Sequence, residues 1–141
     1  MSELKQLNLY GPSLNPVSRL KAAMRQGIKE SKYSRAEIVD RMNLTAKAEG
    51  LKLGRSDQIS IDLLDAWVAE SKENQIPLQL LPAFCDAAQT ILPMRVIVGC
   101  LGAELVDSRE AKILHLARID FERRRLARER KRVQREIEEA S

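Results

Sequence analysis

The chain is poor in the residues that most enzyme chemistry uses. It holds one histidine and two cysteines in 141 residues. A single histidine cannot build a metal constellation, and there is no Cys-x-x-Cys pair and no Gly-rich phosphate loop. Cys85 and Cys100 each stand in apolar surroundings and read as small buried hydrophobes, not as a disulfide or a metal pair. His115, in Ile-Leu-His-Leu-Ala, reads as a structural or surface histidine. Asp62 and Asp65 lie three apart on one helical face, but two carboxylates without further ligands read as a solvated face. No apolar run approaches the roughly 20 residues that cross a bilayer. No basic-then-apolar leader opens the chain, so the expected setting is the cytoplasm. Strand-like alternation and internal repeats are also missing. Together these absences argue against an enzyme, a cofactor, a metal, a membrane and a small-molecule substrate.

What the chain has is charge, 31% of its residues, unevenly distributed around a net +4. Arg19, Lys21, Arg25, Lys29, Lys32 and Arg35 face only one acid in their stretch, Glu30. A second cluster holds Arg118, Arg123, Arg124, Arg125, Arg128, Arg130, Lys131, Arg132 and Arg135 against Asp120, Glu122 and Glu129. The middle, from Ser56 to Asp86, is acidic. Clustered cations are the electrostatic footprint of a polyanion partner. In the second cluster the interleaved acids equally fit a solvated face laced by intrahelical pairs.

Caps and breakers set the organisation, which is all-α: a helix-turn-helix-containing bundle followed by a long charged C-terminal helix. Residues 1–15 read as a flexible arm with Leu7, Leu9 and Tyr10 as anchors. Residues 16–106 form the helical domain, beginning with Asn15 as cap and Pro16 in the first turn. Leu20, Met24 and Ile28 give that helix one apolar stripe. Ser34 and Glu37 make a capping box for a second helix, with Tyr33 and Ile38 as a hydrophobic staple. Its expected buried face is Ala36, Ile38, Val39 and Met42. From Asn43 to Gly54 the helix either continues or breaks, with Gly50 and Gly54 as breakers. Ser60 caps a third helix, expected to reach Ser71, in which Trp67 is a core anchor. Pro77 starts a fourth and Pro93 a fifth, the latter carrying Ile97, Val98, Leu101 and Leu105.

Residues 107–141 open on Asp107-Ser-Arg-Glu110, another capping-box-like start, and run to Glu139 without Gly or Pro. Ile113, Leu114, Leu116, Ala117 and Phe121 are expected to pack. Heptad spacing aligns Ile119, Leu126 and Val133 on one position and Leu116, Arg123, Arg130 and Ile137 on its partner. Two arginines in such a seam weaken a coiled coil, so the expectation is a protruding basic helix that dimerises near its base.

Tyr33 to Met42, then Ser60 to Trp67, then Pro77 to Cys85 follow the rhythm of a helix-turn-helix module. Such a module lays its second helix in the major groove of double-stranded DNA. Arg55, Ser56, Gln58 and Ser60 are then the candidates for base contact, with Lys72 on phosphate. Arg19, Arg25, Lys32, Arg35 and Arg41 are candidates for setting the register on the backbone. Arg123, Arg124, Arg128, Lys131 and Arg132 are further candidates for DNA contact. Asp57, Asp62, Asp65 and Glu70 oppose this, since carboxylates are repelled by phosphates. Either they turn sideways to pair with Arg35 or Arg41, or the basic first and last helices bind instead.

Ser34-Arg-Ala-Glu-Ile-Val-Asp-Arg-Met42, Leu63-Leu-Asp-Ala-Trp-Val-Ala-Glu-Ser-Lys-Glu-Asn74 and Leu81-Pro-Ala-Phe-Cys85 resemble small helix-turn-helix proteins of Mu-like phages and prophages. The resemblance covers residues 33–90. It implies a phage DNA-binding protein, an early-region transcriptional regulator; a regulator is expected as a homo-oligomer, a dimer on a half-site repeat, because operator symmetry mirrors protein symmetry. It also admits a small terminase subunit that recognises viral DNA for packaging. The connection from Met42 to Ser60 departs from the compact module, whose turn is about 3–4 residues. A helical protein-binding scaffold with no nucleic acid is the alternative from a different class.

Overall fold

The structure, a computed structural model, describes residues 14–53, 57–71 and 73–140. Among these residues there are helices and no strands. The chain divides into two units, Met1–Leu105 and Val106–Ser141.

In the first unit, α1 spans Val17–Glu30, with Pro16 at its N-cap and Asn15 Oδ1 accepting the Val17 N–H at 3.2 Å. Pro16 thus stands just before the first helical residue. Helix α2, Arg35–Glu49, starts at a complete capping box. Ser34 Oγ accepts the Glu37 N–H at 3.2 Å, and Glu37 Oε1 accepts the Ser34 N–H at 3.3 Å. The stretch that was open in the sequence continues as helix to Glu49. It stops where Gly50 adopts φ 64°, a left-handed turn that glycine enters without a Cβ clash. The Leu51 N–H then closes back on the Ala46 carbonyl at 2.9 Å.

Helix α3 is short, Ile61–Val68, and ends before the expected Ser71. Pro77 heads a single 3-10 turn, Leu78–Leu80, not an α-helix. Helix α4, Leu81–Ala88, and α5, Leu92–Gly99, each carry a proline in the first turn, where its missing N–H costs nothing. Leu101 and Leu105 therefore fall beyond α5, and Leu101 is 78% exposed.

Helix α1 packs on α5 and α3, while α2 packs on α4 and α3. Met24, Ile38, Val39, Met42, Leu64, Trp67, Val68, Leu80 and Phe84 meet in one core, closed by Ala87 and Ala88. Trp67 is buried in it as expected. Ala36, expected on the buried face of α2, is exposed, because the helix turns Ile38, Val39, Met42 and Ala46 inward instead. Ile61 is also largely exposed. Where α1 passes the α4–α5 corner, Gly27 comes so close to Thr90 that a Cβ there would lie 2.8 Å from Thr90 Cγ2.

The second unit is one helix, α6, Ser108–Ala140, of 33 residues. At 1.5 Å per residue it extends roughly 50 Å. Asp107 Oδ1 accepts the Glu110 N–H at 2.8 Å and caps its start. Ile113, Leu114, Leu116, Ala117 and Phe121, expected to pack, are exposed on the helix. Among the described residues no helix is long and apolar enough to cross a membrane.

Candidate nucleic-acid interface

The last carbonyls of any α-helix have no intrahelical donor, and its C-terminus carries partial negative charge. Helix α3 has no basic residue of its own in its last turn. Its end is capped from α1. The buried Lys21 ammonium donates to the Trp67 carbonyl at 2.8 Å, to the Ala66 carbonyl at 3.5 Å and to the Asn74 carbonyl beyond the helix. One turn on, Arg25 Nη1 donates to the Val68 carbonyl at 2.6 Å. Burial pulls the Lys21 pKa below its ordinary value, and the Arg25 charge adds to this. The basic character of α1 is in large part a cap for α3.

The other register-setting candidates are engaged in similar ways. Arg19 Nη2 donates to Cys100 Sγ at 3.2 Å. Arg35 forms an ion pair with Asp65, so one acid of α3 does turn sideways to a base of α2. Arg41 lies 4.4 Å from the centroid of the Tyr33 ring and donates to the Asp86 carbonyl at 3.4 Å. Lys32 is exposed, 5.2 Å from the same ring.

The expected base-reading residues are less concentrated. Arg55, Ser56 and Lys72 lie outside the described residues. Ser60 Oγ accepts the Leu63 N–H at 3.1 Å, which commits it to capping α3. Gln58 lines an open cleft beside α2 together with Asp40, Lys47 and Asp57. Two carboxylates against one ammonium do not make that cleft a phosphate cradle. The start of α3 is held in place by Asn43, whose amide donates to the Ile59 carbonyl at 2.9 Å and accepts the Ile59 N–H at 2.7 Å. Asp62 and Asp65 remain on the exposed side of α3.

Helix α6 presents a different surface. Arg124, Arg128 and Lys131, all candidates, recur at spacings of four and three and share one exposed face, which Arg135 extends. Neighbours on such a stripe are roughly 5–6 Å apart, so the four cations form one continuous line of charge. Arg132 sits at the edge of this face and pairs with Glu129 at 3.8 Å and Glu136 at 3.9 Å. Arg125 pairs with Glu122 at 2.8 Å. Arg123 lies on the other side of the helix. The spacing of Arg135 from Lys131 is the signal that extends the candidate set by one residue.

No family model, no curated protein and no solved structure matches this chain. The chemistry of its surfaces is therefore the ground for a functional reading.

Proposed function

We propose that the chain binds double-stranded DNA, with the exposed basic face of α6 as the main phosphate-contacting surface. The observation that carries this reading is the stripe Arg124, Arg128, Lys131 and Arg135 on a helix with no buried residue. The cations of α1 and α2 contribute less, since Arg25, Arg35 and Arg41 are held by Val68, Asp65 and Asp86. The biological role that fits the resemblance to Mu-like phage proteins is transcriptional regulation, with DNA recognition for packaging as the second possibility within the same class.

Salt dependence tests the proposal. Four phosphate contacts give a slope of log affinity on log salt near −3.6, so affinity for a random duplex falls roughly 150-fold between about 50 and 200 mM salt. Replacing Arg124, Arg128 and Lys131 by Gln in the full chain should flatten the slope to about −1 and remove most of the binding at the lower salt. Absence of salt-sensitive binding by the native chain would remove the DNA reading and leave the protein-binding scaffold.

A further inference from the structure

The side of α6 opposite its basic face carries a second pattern. Leu116, Ile119, Leu126, Val133 and Ile137 follow one another at spacings of three, seven, seven and four. These are the a and d positions of a coiled coil, with Leu116 and Ile137 at a and the other three at d. All five are solvent-exposed, Leu116 and Ile137 at 59% and 65%. Long helices gain most of their stability in proteins from a partner along an apolar face. Between Leu116 and Ile137, Arg123 and Arg130 occupy the other two a positions, and Arg109 and Lys112 stand at a and d in the first turns before the apolar seam begins. Cations in such a seam are costly without counter-charges.

The counter-charges are present, one residue earlier. Glu122 and Glu129 each immediately precede a seam arginine, and so occupy the g position that borders the seam. When two such helices run in the same direction, a residue at a packs against the a position of the facing helix and beside the g residue before it. Arg123 of each copy then faces Arg123 of the other, and Arg130 faces Arg130, with Glu122 and Glu129 of the facing helix lying beside each arginine pair to offset that repulsion. In the opposite orientation the g edges face each other, and Glu122, Glu129 and Glu136 would meet glutamates. Like charges in contact oppose that arrangement. The e edge, Asp120, Ala127 and Gln134, supplies no cation that would reverse the preference.

We propose that α6 pairs in parallel with α6 of a second copy of this chain, its seam arginines matched by the g-position glutamates of the facing helix. This proposal does not depend on DNA binding, although pairing on this side leaves Arg124, Arg128 and Lys131 facing outward. Sedimentation of the full-length native chain, with and without substitutions, tests it. The native chain is expected to be a dimer, weakened at moderate salt. Glu122→Lys with Glu129→Lys sets cation against cation across the seam and is expected to raise the dimer dissociation constant about tenfold or more, which is about 1.4 kcal/mol at the least. Arg125→Ala removes the intrahelical partner of Glu122 without touching the seam, and is expected to leave the dimer unchanged. Arg123→Leu with Arg130→Leu should tighten it. Orientation is read from Ala140→Cys at the last d position, which should form an intermolecular disulfide under mild oxidation that the native chain does not form. Circular dichroism confirms that each variant keeps its helix. A native chain that stays monomeric overturns the proposal, as does a Glu→Lys pair that dimerises like the native chain. A dimer in which Ala140→Cys does not cross-link overturns the parallel arrangement.

Discussion

Replacing Lys21 by Met separates the stem of this side chain from its charge. Met has a similar length and keeps the apolar packing of the buried stem, but it cannot donate. The carbonyls of Ala66, Trp67 and Asn74 then lose a shared donor at the C-terminus of α3. The two closer acceptors cost about 1–3 kcal/mol each when left unsatisfied. Loss of the cation from a partly buried helix terminus adds up to about 2 kcal/mol. Relief from burying an ammonium returns part of this, as it does when a buried charge is replaced by an apolar group. The expected net loss is roughly 2–4 kcal/mol. For a domain of this size that lowers the melting temperature by roughly 10–25 °C. Trp67 is the single tryptophan and is buried beside the cap, so its fluorescence during urea unfolding reports this unit and not α6. The slope of the transition should be unchanged and its midpoint lower. Lys29→Met, on the exposed side of the same helix, controls for loss of charge and should stay within about 0.5 kcal/mol of the native chain. If Lys21→Met is no more destabilising than Lys29→Met, the capping argument is wrong.

Gly27→Ala should destabilise by about 1–3 kcal/mol, because its Cβ would press on Thr90 Cγ2 and Thr90 is pinned by its bond to the Leu92 N–H. Adding Thr90→Ser, which deletes that methyl and keeps the hydroxyl, should recover most of the loss in the same urea assay. Gln89 has φ 56°, so Gln89→Gly should raise the unfolding midpoint by about 0.5–1 kcal/mol of stability, since glycine takes this conformation without strain. Burial pushes the Cys85 thiol from 9.0 up to about 11, against a smaller opposing effect of a hydrogen bond with the Met94 backbone. Its alkylation at pH 8 should therefore be roughly 100-fold slower than that of an unperturbed cysteine, a difference visible in a timed mass spectrum. The unfolded chain releases this proton first, so its contribution to stability is intact below about pH 9 and is lost as pH rises through about 11.

Local chemistry was the legible part of this fold. The Ser34–Glu37 box, the Ser60 cap, the stop at Gly50 and the uninterrupted α6 are each written within a few residues, and each is found where its residues stand. The helix periodicity also placed Met24, Ile38, Met42 and Trp67 on buried faces, and all four are in the core. What escaped depends on residues far apart in sequence. Nothing around Lys21 or Arg25 announces that their targets are carbonyls more than forty residues away. A cation on a helix looks the same whether it waits for a phosphate or caps a neighbour. Ala36 is small enough to sit on either side of a helix boundary, so its exposure could not be read from its type. Pro77 marks a turn start in either a 3-10 or an α-helical segment, and the sequence does not separate the two. Which α6 cations share one exposed face was readable because that helix has regular spacing and buries none of its residues. Those near Ser60 were harder, since capping uses the same hydroxyl that base contact would need.

The pairing of α1 with α5 also bears on how the protein comes off the ribosome. Helix α1 is made early, while α5 is the last helix of its unit to be made. Until residues 92–99 have emerged, the side of α1 that α5 will cover has no partner. At about 5–20 residues per second that interval lasts seconds. The α2–α4 and α2–α3 contacts join nearer parts of the chain and so close earlier, because shorter loops lose less entropy. A nascent chain stalled before α5 should then hold a partly formed bundle with α1 still seeking cover. Chaperone engagement during synthesis is expected to centre on that helix.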